Sequence, residues 1–437
     1  MKVLKFGGTS VGKPERMHSV AQLIMRDDEQ KIVVLSAVSG TTNALVNIAS
    51  KLSNKQTAEA RQAVEALFDP YKTFVEALYS SVDAKNKGYE IVEKQKAILS
   101  AYLNKTVSEK ETREILAQGE LISTQLFQLY LEEQNIKSVL LPALDFMKIN
   151  DDDEPVLSFI EEKLGNLIRQ HSDKQFFITQ GYICLNAKGE IDNLKRGGSD
   201  YTASLVGAAM RVKEIQIWTD IDGMHNNDPR IVKNTHPIAE LSFDEAAELA
   251  YFGAKILHPA TILPAKKYNI PVKLLNTLEP EARGTTIATS TTPTEFKAIA
   301  AKDGIIAVKI KSSRMLLAYG FLRKVFEVFE KYKTPIDMIT TSEVAVSITI
   351  DEPKNLDKIL EELKDFCTVE VDRDQTIVCI VGDFPASKGG VAKKIFQALE
   401  TIPLRMISYG GSKNNVSVLI STEHKNAALN ALSNKLF

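Results

Sequence analysis

The chain has 437 residues, 44 % of them hydrophobic and 25 % charged, with a formal net charge of −2. That length exceeds one ordinary core and implies roughly two or three domains, and the near-neutral balance argues against a nucleic-acid or membrane-surface binder, which would carry a basic excess. The three cysteines, Cys184, Cys367 and Cys379, are too far apart for a disulfide framework or a CxxC metal pair, and the apolar runs around Cys367 and Cys379 make both expected buried spectators.

The start, Met1–Gly7, lacks a long apolar targeting segment, and no stretch approaches about 18 apolar residues. A cytoplasmic location with no membrane span is the expectation.

In chain order, Val3–Phe6 reads as a strand that ends in Gly7-Gly8-Thr9-Ser10. The spacing to Lys13 mimics a Walker P-loop, but Pro14 stands where a hydroxyl must reach Mg²⁺, so that motif is excluded. The turn can still offer N–H groups and hydroxyls to phosphate oxygens, with Lys5 adding a point charge. A plain tight turn explains it almost as well.

Lys31–Ser36 is a second strand, and it enters Ser36-Ala37-Val38-Ser39-Gly40-Thr41-Thr42-Asn43. That loop suits a small polar substrate, a phosphate or a helix N-cap. Residues 54–116 carry apolar side chains at helical spacing and predict a helical insertion. Gln118-Gly119-Glu120 follows in a helical pattern. Glycine there costs about 1 kcal/mol relative to alanine, which points to close approach by a neighbour. A buried Glu120 can receive a substrate ammonium group, although a lone acid on a helix is usually solvated.

Ser138–Leu141, Phe176–Gly181 and Glu214–Thr219 are further strands separated by helical runs. Parallel β-α-β units, and hence a three-layer α/β/α sandwich, follow from that alternation. Ligands in such sheets bind past the carboxyl ends of the strands. Arg196-Gly197-Gly198-Ser199-Asp200 opens an apolar helix. Arg196 offers a fork for a carboxylate, and the helix N-terminus favours anions. Asp200 can orient lysines or substrate. Thr219-Asp220 begins a strand-end loop that runs on to Asn227-Asp228-Pro229-Arg230, and Lys255 in Phe252–Pro259 can meet nucleotide phosphates. No HExxH, His/Cys cluster, GxSxG or GxGxxG occurs. Any Mg²⁺ is expected to arrive with ATP.

The polar stretch 282–295 predicts a domain boundary. Beyond it, Pro335–Thr340 and Pro403–Ser408 are matching segments of a β-α-β-β-α-β repeat, the ferredoxin-like unit. The second copy lacks a last strand, and residues 296–301 can supply it, nesting one module in the other.

Taken together, KFGGTS, LSAVSGTTN, Gly119-Glu120, RGGSDYTA, WTDIDG with NDPR, and FGAKILHPAT closely resemble the aspartate kinases of the amino-acid kinase family, in order and spacing over nearly the whole chain. The C-terminal repeat resembles that family's paired ACT modules. The resemblance implies a kinase domain over 1–290, a first ACT module over 304–374, and a second over 375–437 plus about 296–301.

It implies transfer of phosphate from ATP to the side-chain carboxylate of L-aspartate. Lys5, Asp200 and Lys255 would be catalytic. Ser36, Thr42, Glu120, Arg196 and Ser199 would hold aspartate. Gly7, Gly8, Thr9, Thr219, Asp220, His225, Arg230 and Lys255 would hold ATP, although the family often has Tyr where His225 stands.

Met315, Ala318, Phe321, Asp337, Thr341, Ser342 and Glu343 resemble the effector pocket of lysine-inhibited members. The usual pocket serine is replaced by Ala318, so lysine is favoured over threonine less firmly. A homodimer or dimer of dimers through the ACT modules is implied; the alternative to effector binding is modules that serve dimerisation alone. Two alternatives compete: a kinase of another small carboxylate or carbamate, and a non-catalytic amino-acid sensor.

Overall fold

The structure is a computed structural model that describes residues 1–194, 197–253, 259–311, 319–385, 387 and 389–437. It divides into two compact units. The first comprises Met1–Met224, Ala239–Phe243 and Leu257–Ser290, and the second His225–Ile238, Asp244–Ile256 and Thr291–Phe437. Residues 1–290 are thus shared between the units, and the boundary expected at 282–295 is one of several crossings.

The strands of the first unit are β1 (Lys2–Phe6), β2 (Lys31–Leu35), β3 (Ser138–Leu140), β4 (Phe176–Gln180), β5 (Ile183–Leu185), β6 (Ile191–Asn193), β7 (Ile215–Thr219), β8 (Glu240–Ser242), β9 (Val272–Asn276) and β10 (Thr285–Ala288). Eight of them form one sheet in the order β3-β4-β2-β1-β7-β9-β10-β8, parallel except where β10 meets β9. β5 and β6 form a separate hairpin. The helices are α1 (Pro14–Ile24), α2 (Thr41–Ser53), α3 (Thr57–Leu78), α4 (Val82–Ala101), α5 (Glu109–Glu133), α6 (Leu157–Gln170), α7 (Gly198–Met210) and the short α9 (Leu263–Lys267).

Side chains alternate across a strand, so a fully buried parallel strand feeds two layers. Leu4, Phe6, Val33, Leu35, Phe176 and Ile178 share one core with residues of α1, α2 and α5. Val3, Ile32, Val34 and Phe177 are equally buried but stand outside that core, on the alternate face. Lys5 follows Val3 onto the alternate face, where α7 packs on β1. β1 pairs in parallel with β2 on one side and β7 on the other, so the chain order turns about β1. That is where a crevice opens beyond the strand ends.

In the second unit the chain continues with α8 (Phe243–Tyr251), of which Phe243 still belongs to the first unit. Its strands are β11 (Ala298–Lys311), β12 (Ile339–Thr341), β13 (Ala345–Ile350), β14 (Thr368–Val381), β15 (Met406–Tyr409) and β16 (Asn415–Ser421), in one antiparallel sheet of order β12-β13-β11-β14-β16-β15. Two apolar cores lie along it. One gathers Val308, Val325, Ile348 and Leu363, the other Ile299, Val378, Ile395, Val418 and Leu429.

β11 and β14 are long. Ala298–Lys302 pairs with Ile377–Val381, and after a register shift Ile305–Lys311 pairs with Thr368–Gln375. Gly304 and Asp374, both at positive φ, mark the change. Cys184 and Cys379 are buried. Cys367 is only half-buried, because it precedes β14 at the end of a helix and its thiol donates to the Leu363 carbonyl at 2.8 Å. Among the described residues no helix is long and apolar enough to cross a membrane.

Candidate active site

A cleft of about 450 Å³ opens in the first unit past the ends of β1, β2, β4 and β7. Its lining includes Gly7, Gly8, Thr9, Ser36, Thr42, Glu120, Tyr182, Ser199, Thr219 and Asp220. The Gly7–Thr9 turn is tied to its neighbours by backbone. Gly7 N–H donates to the Trp218 carbonyl at 3.1 Å, and Ser39 N–H donates to the Gly8 carbonyl at 3.1 Å. A Cβ on Gly8 would stand 2.8 Å from the Ala37 carbonyl oxygen, so only glycine lets the two strand-end loops touch.

Lys5 stands on the α7 face of β1, its ammonium 3.5 Å from where a Cβ on the cleft-lining Gly7 would be. Its ammonium stands 2.7 Å from Asp200 Oδ1, and both side chains are mostly buried. The contact is an ion pair without the alignment of a hydrogen bond, because that oxygen has no hydrogen-bond partner. Asp200 sits in the first turn of α7, which enters through Gly197 in the left-handed region at φ 67°. A Cβ on Gly198 would collide with the Tyr182 ring at 2.3 Å, and one on Gly181 with Ser199 Oγ at 2.4 Å. Glycines thus pack the helix start against the end of β4.

Glu120 lies on α5, 3 % exposed. Its Oε1 accepts the Ala37 N–H at 3.3 Å, while Oε2 is buried with no hydrogen-bond partner. Burial pushes its pKa up from the ordinary 4.5 to about 8, against the opposing Ala37 hydrogen bond. Such an empty, buried acceptor is costly unless something arrives to meet it. Gly119 makes the placement possible, because a Cβ there would meet the Ala37 Cβ at 2.8 Å.

Of the remaining candidates, Arg196 and Lys255 lie outside the described residues. His225 and Arg230 belong to the second unit. There the His225 ring bonds Thr235 Oγ1 at 3.1 Å, and Arg230 grips Asp228 twice, at 2.9 and 2.7 Å. Tyr182 is a lining residue that the motifs did not single out. Its position just past β4, with a non-glycine φ of 68°, is the signal that marks it.

The amino acid kinase family description fits residues 1–276, and the ACT domain description fits residues 378–436. Over its full length the chain is 34 % identical to lysine-sensitive aspartokinase 3 of Escherichia coli (strain K12), covering 99 % of that protein. The crystal structure of E. coli aspartokinase III in complex with aspartate and ADP (R-state) superposes with a TM-score of 0.85 at 34 % identity, over all of both chains. The complex of the same enzyme with lysine and aspartate (T-state) superposes at 0.81 and 34 % identity, over all of this chain and 99 % of that one. The chain belongs to the aspartokinases.

In this aspartokinase the candidate effector residues fall in the second unit. Phe321 opens α10 (Phe321–Lys331) and is buried. Asp337 precedes β12 with its side chain 1 % exposed. Thr341, Ser342 and Glu343 are exposed at the β12–β13 turn, where Ser342 N–H donates to the Ala345 carbonyl at 2.8 Å. Met315 and Ala318 lie outside the described residues.

Proposed function

We infer that the chain transfers the γ-phosphoryl group of ATP to the side-chain carboxylate of L-aspartate, with ADP leaving as the β–γ bond breaks. The carrying observation is a cleft lined by Glu120, whose Oε2 has no partner, with the buried Lys5–Asp200 pair next to the lining residues Gly7 and Ser199. A carboxylate is already a nucleophile, so the site needs positioning and charge neutralisation rather than a strong base.

Glu120 takes the substrate ammonium. Ser36, Thr42, Ser199 and Arg196 take its carboxylates. The Gly7–Thr9 backbone and Lys5 receive phosphate oxygens, with Lys255 adding charge. Thr219 and Asp220 serve the nucleotide. Mg²⁺ comes in on the ATP phosphates.

We read the C-terminal strands as two nested ACT modules, 304–374 and 375–437 with about 296–301. The pairing of Ala298–Lys302 with Ile377–Val381 supports this. They bind an amino-acid effector, and the lysine-sensitive relative favours lysine. They also offer sheet edges for a homodimer or dimer of dimers.

A coupled ADP-release assay with aspartate, glutamate and carbamate acceptors tests the catalytic reading. Turnover on another acceptor at the expense of aspartate refutes it.

A further inference from the structure

Asp337 is a doubly engaged carboxylate of the second unit. Its Oδ1 accepts the Tyr251 hydroxyl at 2.6 Å and the Lys302 ammonium at 3.0 Å. Lys302 in turn reaches Asp351 at 2.8 Å and lies over the Tyr251 ring, 4.4 Å from its centre. Burial disfavours the charge on Lys302, but Asp351 and Asp337 outweigh it and raise its pKa. The second oxygen of Asp337 is buried with no hydrogen-bond partner. A buried carboxylate with one open oxygen is an unmet demand for a donor, best answered by an ammonium.

Tyr251 is the last residue of α8. Two residues later Gly253, at φ 135°, lies so close to β11 that a Cβ would stand 2.3 Å from the Ala301 carbonyl oxygen. The end of α8 is therefore held at two adjacent points of one strand: Gly253 at Ala301, and Tyr251 at Lys302 and its partner Asp337. The first is backbone packing. The second is a polar contact that another cation can displace. From there the chain runs on to Lys255.

We propose that an ammonium-bearing effector acts by taking Asp337 away from Tyr251, which makes Tyr251 the link between the regulatory carboxylate and helix α8. The proposal rests on the reading of an amino-acid effector at Asp337. In the effector-free state the Tyr251–Asp337 bond holds α8 in its working position. Effector binding and that bond compete, so by linkage each weakens the other.

The test uses the full-length chain, lysine as probe, and Tyr251→Phe, which removes only the hydroxyl and keeps the ring over Lys302. Turnover is followed by the coupled assay and lysine binding by calorimetry. The expected result is a basal kcat/KM for ATP lowered about threefold or more, lysine bound about threefold tighter or more, and a smaller residual inhibition. Wild-type rates with wild-type inhibition overturn the link. Lower activity with weaker lysine binding marks a merely structural residue and overturns it too. A wild-type chain that neither binds lysine nor responds to it removes the effector reading and the proposal with it, a result distinct from a failure confined to Tyr251→Phe.

Discussion

The Lys5 ammonium stands 2.7 Å from Asp200 Oδ1, joining the end of the central strand to the first turn of the helix that packs on it. The carboxylate fixes where the positive charge sits. Lys5→Ala is expected to lower kcat about 10²–10³-fold, the scale for losing one preorganised charge at a reacting centre. The fold survives, as circular dichroism will report. Near-normal turnover refutes the phosphate role.

Glu120 carries a pH signature. Its pKa in the fold, about 8, lies above the ordinary 4.5, so between those values the folded chain holds a proton that the unfolded chain has lost. Its contribution to stability is complete below about 4.5 and is lost as pH rises through about 8. An incoming ammonium favours the charged form. Aspartate binding near pH 7 should therefore release a proton, visible as a buffer-dependent calorimetric heat. Glu120→Gln should abolish that dependence and raise KM for aspartate about tenfold or more. An unchanged heat across buffers counts against the assignment.

Gly119→Ala pits two effects against each other. Alanine gains about 1 kcal/mol in helix propensity, and overpacking costs about 1–3 kcal/mol. The new methyl would meet Ala37 Cβ at 2.8 Å, in the loop beside Glu120, and Thr41 Cγ2 at 3.2 Å, at the start of α2. We expect no gain in melting temperature and a raised KM for aspartate. A more stable, fully active variant contradicts this packing account.

Glu343 is exposed at the β12–β13 turn, in contrast to the buried Asp337. Glu343→Ala should weaken lysine binding and inhibition together, by about tenfold. Tyr251→Phe is expected to separate the two. Calorimetry beside the turnover assay distinguishes them, and intact lysine affinity in Glu343→Ala excludes that residue from the pocket.

Much of the cleft was legible because parallel strands end in short polar loops, and Gly7-Gly8, Ser36–Thr42, Ser199-Asp200 and Thr219-Asp220 each follow or face such an end. Their convergence depends on β2 and β7 flanking β1, which no local pattern states. Tyr182 escaped because a lone aromatic after a strand looks like core. Only its backbone conformation and its neighbour Gly198 reveal it. The repeat was visible in Pro335–Thr340 and Pro403–Ser408. The polar stretches around Asp303-Gly304 and Arg373-Asp374 read as strand ends, yet β11 and β14 run through them. A register shift absorbs the irregularity where a sequence pattern sees a break. The assignment of His225–Ile238 and Asp244–Ile256 to the second unit was equally hidden, because it rests on long-range packing.

The two fourteen-residue strands have a practical consequence. Each contributes one half to either apolar core, so a stop codon after Asp374 would strip a central strand half, two further strands and two helices from the sheet at once. Neither sensory half can be lifted out by a single cut or grafted onto another enzyme as a cassette. Heat or denaturant should melt the pair as one cooperative body.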